Sequence, residues 1–136
     1  MKTLHTAYRV SDLDTSLTFY RALGYRELLR VQPDPETLLV MLAFPGERVA
    51  TLELVHRPGD GPVDLGTGFH HLVVQVHDLR AAVVGLAHAG LEPEPIQPFD
   101  DSRGGGTSWV TDPDGYRIEL VEWPRGHADG ISADLD

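Results

Sequence analysis

Residues 4 to 10 alternate in polarity: Leu4, Thr6, Tyr8 and Val10 point one way, and His5, Ala7 and Arg9 point the other. That period of two predicts a half-buried strand. The period then lengthens, with Leu13, Leu17, Tyr20 and Leu23 at helical spacing. Ser11 and Asp12 offer a helix start, Asp14 completes an imperfect capping box with Ser11, and Gly24 fits the left-handed stop. Residues 25 to 31 read as a second strand, broken at Pro33-Asp34-Pro35. Residues 38 to 44 and 49 to 55 read as two more, joined by the turn Pro45-Gly46-Glu47. The first half is β-α-β-β-β.

A Gly/Pro-rich stretch over residues 57 to 68 is the natural linker, and the plan then repeats. Residues 71 to 76 form a strand, and Asp78 caps a helix that runs to Ala89 and stops at Gly90. Residues 91 to 97 are expected as a proline-interrupted edge strand. Gly104-Gly105-Gly106 is expected as a mobile loop before a strand over 107 to 111. Asp112-Pro113-Asp114-Gly115 is a strong turn signal, and residues 116 to 121 form the last strand. The fold class is therefore α+β: two tandem β-α-β-β-β modules forming a curved mixed sheet with helices on the outer face. The first module covers 1–56, the linker 57–68, the second module 69–123, and a loosely ordered tail 124–136, together one domain.

The two halves are related by a period of 66 residues. His5 recurs as His71, Val10 as Val76, Asp12-Leu13 as Asp78-Leu79, Gly24 as Gly90, Glu53 as Glu119 and Leu54-Val55 as Leu120-Val121. Such a period marks a duplicated supersecondary unit, and here metal-ligand residue types repeat along with apolar ones. Strand alternation puts Leu52 and Leu54 on one face with Glu53 on the other, and Ile118 and Leu120 opposite Glu119. The apolar faces must pack on the helices, so both histidines and both glutamates are expected on the concave side. With the halves face to face, His5, Glu53, His71 and Glu119 are four candidate ligands for one divalent metal.

Composition narrows the chemistry. The chain has no cysteine, so a metal must be held by His and carboxylate. Its 136 residues suit one compact unit, and nothing at Met1-Lys2-Thr3-Leu4 resembles a signal peptide, which makes the cytoplasm the expected location. A formal charge of −10 argues against nucleic acid or an anionic membrane as partner. Taken singly, each site residue has a bland reading: a strand histidine is commonly a hydrogen-bonded structural residue, and a strand glutamate a solvated one. His70 is expected on the helix side rather than as a ligand. His56 and His77 flank strand ends and are expected at the surface, while His88 and His127 carry no signal. Arg103, beside three glycines, is either a clamp for an anionic substrate or a solvated loop cation.

Several stretches carry a family likeness: Leu4-His5-Thr6 with Arg9-Val10, residues 16 to 24, Leu52-Glu53-Leu54, Asp64-Leu65-Gly66-Thr67, His71, and the run from Asp112 to Leu120. On these the chain resembles the vicinal oxygen chelate superfamily (the glyoxalase/bleomycin resistance protein/dioxygenase family) and, within it, the short bacterial glyoxalase I (lactoylglutathione lyase) branch. The likeness covers residues 3 to 122, and the His/Glu/His/Glu set is more specific than the Asp-Pro-Asp-Gly-Tyr turn. It implies metal-dependent isomerisation of a thiol hemithioacetal of methylglyoxal through an enediolate stabilised by a Lewis-acid cation. Glu119 is implied as the proton shuttle, with Glu53 sharing that role, and Arg9 as a contact to a glutathione carboxylate. The resemblance favours Ni²⁺ or Co²⁺ over Zn²⁺ or Mn²⁺, and implies a homodimer. The chain departs from the family at Val55-His56-Arg57-Pro58, where close relatives carry an asparagine that holds glutathione, so the thiol carrier stays open. The alternatives are an epimerase or ring-cleaving dioxygenase on the same scaffold, or a metal-free drug-binding resistance protein.

Overall fold

A computed structural model describes residues 1 to 133. The chain divides into two compact units, Met1–Gly66 and Thr67–Asp136. In the first, strand β1 (Thr6–Arg9) leads into helix α1 (Leu13–Leu23), followed by β2 (Arg26–Asp34), β3 (Thr37–Ala43) and β4 (Leu52–His56). The second contains β5 (Leu72–Gln75), α2 (Leu79–His88), the short β6 (Gln97–Pro98), β7 (Gly106–Thr111) and β8 (Arg117–Glu122). Each unit holds one four-stranded mixed sheet, ordered β1-β4-β3-β2 and β5-β8-β7-β6. These are tandem β-α-β-β-β modules of an α+β fold.

The duplication extends to strand register. β1 runs parallel to β4 with Thr6 opposite Leu52 and Ala7 opposite Glu53. β5 runs parallel to β8 with Leu72 opposite Ile118 and Val73 opposite Glu119. Adding 66 to every residue of the first ladder gives the second. Alternation then buries equivalent positions. Leu52, Leu54, Val40 and Leu42 are sealed in the first unit, and Ile118, Leu120, Val110 and Ser108 in the second. Each such leucine or isoleucine contributes about 1.5–3 kcal/mol by leaving water.

Both helices start on aspartate. Asp12 Oδ1 accepts from Thr15 N–H at 2.9 Å, and Asp78 Oδ1 accepts from Ala81 N–H at 3.0 Å. Ser11 is not the cap: its hydroxyl accepts from Val63 N–H at 2.8 Å and fastens the chain that follows β4. Gly24 closes α1 at φ 121°, a conformation open chiefly to glycine. Tyr20 of α1 is fully buried, stacks edge-on to Tyr25 and pairs its hydroxyl with that of Tyr8 on β1. The helix therefore covers the Tyr8 and Leu54 face, leaving Glu53 on the other.

Three local expectations change. β2 continues through Pro33 to Asp34, and Pro35 opens the two-residue hairpin turn to Thr37, so the prolines do not end the strand early. The strand expected over 91 to 97 shrinks to Gln97–Pro98, because Pro93 and Pro95 have no N–H to donate and Glu92 takes a left-handed φ of 51°. Gly104 and Gly105 stay outside any strand, as expected, but Gly105 and Gly106 are also held by close packing. A Cβ on Gly105 would stand 2.6 Å from the Glu122 carbonyl oxygen, and one on Gly106 2.6 Å from that of Gln97.

Where a loose tail is expected from residue 124, the chain folds back over β5 as far as Gly130. Gln75 accepts from Trp123 Nε1 at 2.6 Å and from Gly130 N–H at 2.9 Å, and donates to Asp129 at 2.7 Å. Residues 134 to 136 of that tail lie outside the described residues. Among the described residues, no helix is long and apolar enough to cross a membrane.

Candidate functional site

In the first unit, His5 immediately precedes β1 and Glu53 is the second residue of β4. Because β1 and β4 are hydrogen-bonded neighbours, their side chains meet: His5 Nε2 lies 3.1 Å from Glu53 Oε1. Both are partly exposed, with side-chain accessibilities of 25% and 15%, so the pair is open to a ligand yet held by the sheet. Glu53 is flanked across the sheet by Ala7 and Met41.

The second unit repeats the placement with different neighbours. Glu119 is flanked by Val73 on β5 and Trp109 on β7. His71 precedes β5 as His5 precedes β1. Its ring packs edge-on to Trp109, with centroids 5.0 Å apart, and its Nδ1 lies 2.6 Å from His70 Nδ1. His70 is therefore exposed beside His71 instead of turned to the helix side. Among the described residues, His71 makes no hydrogen bond to Glu119, and no three His, Asp or Glu side chains stand together as a metal-binding group. Each unit by itself thus offers one histidine and one glutamate on the same sheet face.

The donor chemistry suits a divalent first-row metal, since imidazole and carboxylate both bind such ions at about 2.0–2.2 Å. Two donors at right angles about such an ion are separated by about 3.0 Å. The 3.1 Å gap between His5 and Glu53 matches that bite.

The two arginines expected at the substrate are both engaged. Arg9 shares the His5 face and reaches the chain after β4, with Nη2 3.4 Å from the Gly61 carbonyl oxygen and Nη1 3.8 Å from the Asp60 carboxylate. Arg103 donates from its backbone N–H, Nε and Nη2 to Asp101, at 2.8, 3.2 and 2.9 Å. That pairing lowers the Asp101 pKa and raises that of Arg103. Sequence reasoning missed Arg117, two residues before Glu119 on β8, whose guanidinium carbon lies 4.8 Å over the Trp109 ring. The signal was present, because Arg117 shares the period-two face of Glu119.

A cleft of about 820 Å³ in the second unit is lined by Val76, His77, Glu122, Trp123 and Arg125, and holds none of the four candidate ligands. Its acids are already committed: Glu122 Oε1 accepts from Leu79 N–H at 2.9 Å, and Asp78 caps α2. The four candidate ligands lie outside this cleft.

Residues 2–120 match the family model for the glyoxalase/bleomycin resistance protein/dioxygenase superfamily. A lactoylglutathione lyase of Haemophilus influenzae is 35% identical over 131 residues, which cover 90% of this chain and 93% of that protein. One from Escherichia coli O157:H7 is also 35% identical, over 132 residues, with the same coverage. Among solved structures, the trypanothione-dependent glyoxalase I of Leishmania major superposes with a TM-score of 0.71 at 32% identity, covering 90% of this chain and 86% of that one.

Proposed function

The chain belongs to the glyoxalase/bleomycin resistance protein/dioxygenase superfamily, and from that premise we propose that it is an enzyme of glyoxalase I type, a metal-dependent lyase acting on the hemithioacetal of methylglyoxal. The observation that carries the reading is the repeated register: in each unit a histidine and a glutamate share the sheet face away from the helix, His5 with Glu53 and His71 with Glu119. The ligand set is these four side chains, two imidazoles and two carboxylates, drawn from one chain or from two copies in a homodimer. Exposed Leu28, Leu29 and Val31 on β2 support self-association. Ni²⁺ or Co²⁺ is favoured over Zn²⁺ and Mn²⁺, and when bound the ion supplies a Lewis acid beside the substrate oxygens.

The rest of the reaction falls to side chains. Glu119 takes the proton from the hemithioacetal carbon, leaving an enediolate, and returns it to the neighbouring carbon to give the thioester of a 2-hydroxy acid. One C–H bond breaks and another forms, and the hydroxyl proton passes from the first oxygen to the former carbonyl oxygen, so the atoms balance with no net redox change. Glu53 stands in the equivalent position of the first unit and shares the shuttle. Trp109 and Met41, beside the two glutamates, narrow water access to them. Arg9 and Arg103 are substrate-side cations, released from Asp60 and Asp101 to meet a carboxylate. The thiol carrier stays open. The asparagine of close relatives is missing after β4, and one structural relative is trypanothione-dependent.

The test is turnover of the methylglyoxal–glutathione hemithioacetal, followed by thioester absorbance, using metal-stripped protein reloaded with each of the four ions. Ni²⁺ or Co²⁺ should restore activity most, and Glu119→Gln should lower kcat by 10³-fold or more, a loss on the scale of removing a general base, with an unchanged melting curve. Activity that ignores metal, or a fully active Glu119→Gln, would refute the mechanism. O₂ uptake with Fe²⁺ would transfer the protein to the dioxygenase branch.

A further inference from the structure

Arg117 is the cation nearest in the strand to the proposed base. It precedes Glu119 by two residues on β8, so both side chains leave the same face, about 6.6 Å apart along the strand. Its neighbours fix its orientation. The guanidinium carbon stacks 4.8 Å over the Trp109 ring, and Nη1 donates to the Glu94 carboxylate and, at 3.4 Å, to the Thr111 hydroxyl. Trp109 in turn lies opposite Glu119 in the strand pairing and packs on His71. The arginine is therefore indexed, through one indole, to both site residues of its unit.

Those contacts use one edge of the guanidinium. Among the described residues, Nε and Nη2 make no hydrogen bond, and 41% of the side chain is exposed. The remaining edge is the planar two-donor fork that grips a carboxylate with parallel hydrogen bonds. In Arg103 the corresponding Nε and Nη2 are both on Asp101, so that fork opens only when the pair separates. Glu94 partly neutralises the cation, which favours a reversible grip over a tight one.

We propose that Arg117 is a specificity-determining residue that binds a carboxylate of the substrate's thiol moiety. The anion it grips would lie one strand step from the proposed base. The inference rests on the glyoxalase I reading of the same site. An interaction present equally in ground and transition states raises KM when lost, with little change in kcat.

The experiment compares two hemithioacetals of methylglyoxal, one with glutathione and one with its dimethyl ester, in wild type, Arg117→Met and Arg117→Lys. The wild type should prefer the free acid, and Arg117→Met should shrink that preference in kcat/KM by tenfold or more, chiefly through KM. Arg117→Lys should fall between, since an ammonium keeps the charge but loses the fork. A preference unchanged in Arg117→Met, or an equal loss with both substrates, would overturn the proposal and leave Arg117 as packing for Trp109. Circular dichroism melting checks that each variant folds.

Wild type inactive on both substrates would sink the glyoxalase reading and not this one. Calorimetric binding of S-methylglutathione and its dimethyl ester then decides. Tenfold weaker binding of the free acid alone in Arg117→Met sustains the assignment, and equal affinities across the variants reject it.

Discussion

His5 and Glu53 are 48 residues apart in the chain and 3.1 Å apart in space, and a single register choice between β1 and β4 makes the difference. A slip of one residue would turn Glu53 into the core and Leu54 to solvent, an exchange the buried leucines forbid. The same logic holds for Glu119 between Ile118 and Leu120. These glutamates were legible because alternation alone assigns their face. The arginines were not, because a long side chain can reach several partners and the sequence does not rank them. Arg103 found Asp101 two residues away, while Arg117 found an indole across the strand pair. A charge away from the site gives a residue-scale test. Glu27 accepts from Arg30 and Arg21, and the Arg30 hydrogen bond is the main cause of its lowered pKa, with burial opposing. A lowered folded-state pKa means the unfolded chain binds the proton more readily, so this stabilisation is full above the ordinary carboxylate value and vanishes as pH falls through the folded one. The melting temperature of wild type should exceed that of Glu27→Gln at pH 7, and the gap should close below about pH 4.5. A gap independent of pH would show that the pairing contributes nothing.

At the scale of elements, helices and hairpins followed the polarity pattern closely, with aspartate caps at both helix starts. Where the pattern failed, backbone chemistry prevailed over side-chain pattern. The prolines at 93 and 95 removed the donors a strand over 91 to 97 needed, leaving a two-residue β6. Gly105 and Gly106 lie close against the Glu122 and Gln97 carbonyls, and no local pattern reveals contacts with residues outside the run. Gly105 and Gly104 both have positive φ, 88° and 90°, but only Gly105 has backbone within reach of a Cβ. Gly105→Ala should therefore destabilise by on the order of 3 kcal/mol, combining strain with a clash. Gly104→Ala, with open space around it, should cost about 1 kcal/mol. Urea denaturation measures both, and equal losses would mean the Glu122–Pro124 segment moves aside freely.

For the whole molecule, the period of 66 residues visible in the sequence is also the offset between the two β1–β4 and β5–β8 ladders, and the division of the chain into two compact units falls after Gly66. The duplication thus organises the fold and repeats the candidate pair, with one histidine and one glutamate in each unit. What the sequence could not supply was the difference between the halves. Gln75 takes the place of Arg9 and anchors the returning tail, and Trp109 takes a place beside Glu119 that Met41 holds beside Glu53. The central claim is that both pairs serve one cation. Its most direct test is calorimetric titration of metal-free protein with Ni²⁺, for wild type and for His5→Ala, Glu53→Gln, His71→Ala and Glu119→Gln. The account predicts one ion per chain and a tenfold or greater loss of affinity in each of the four variants. Two ions per chain, or variants of one unit that leave wild-type affinity for a single ion, would contradict it.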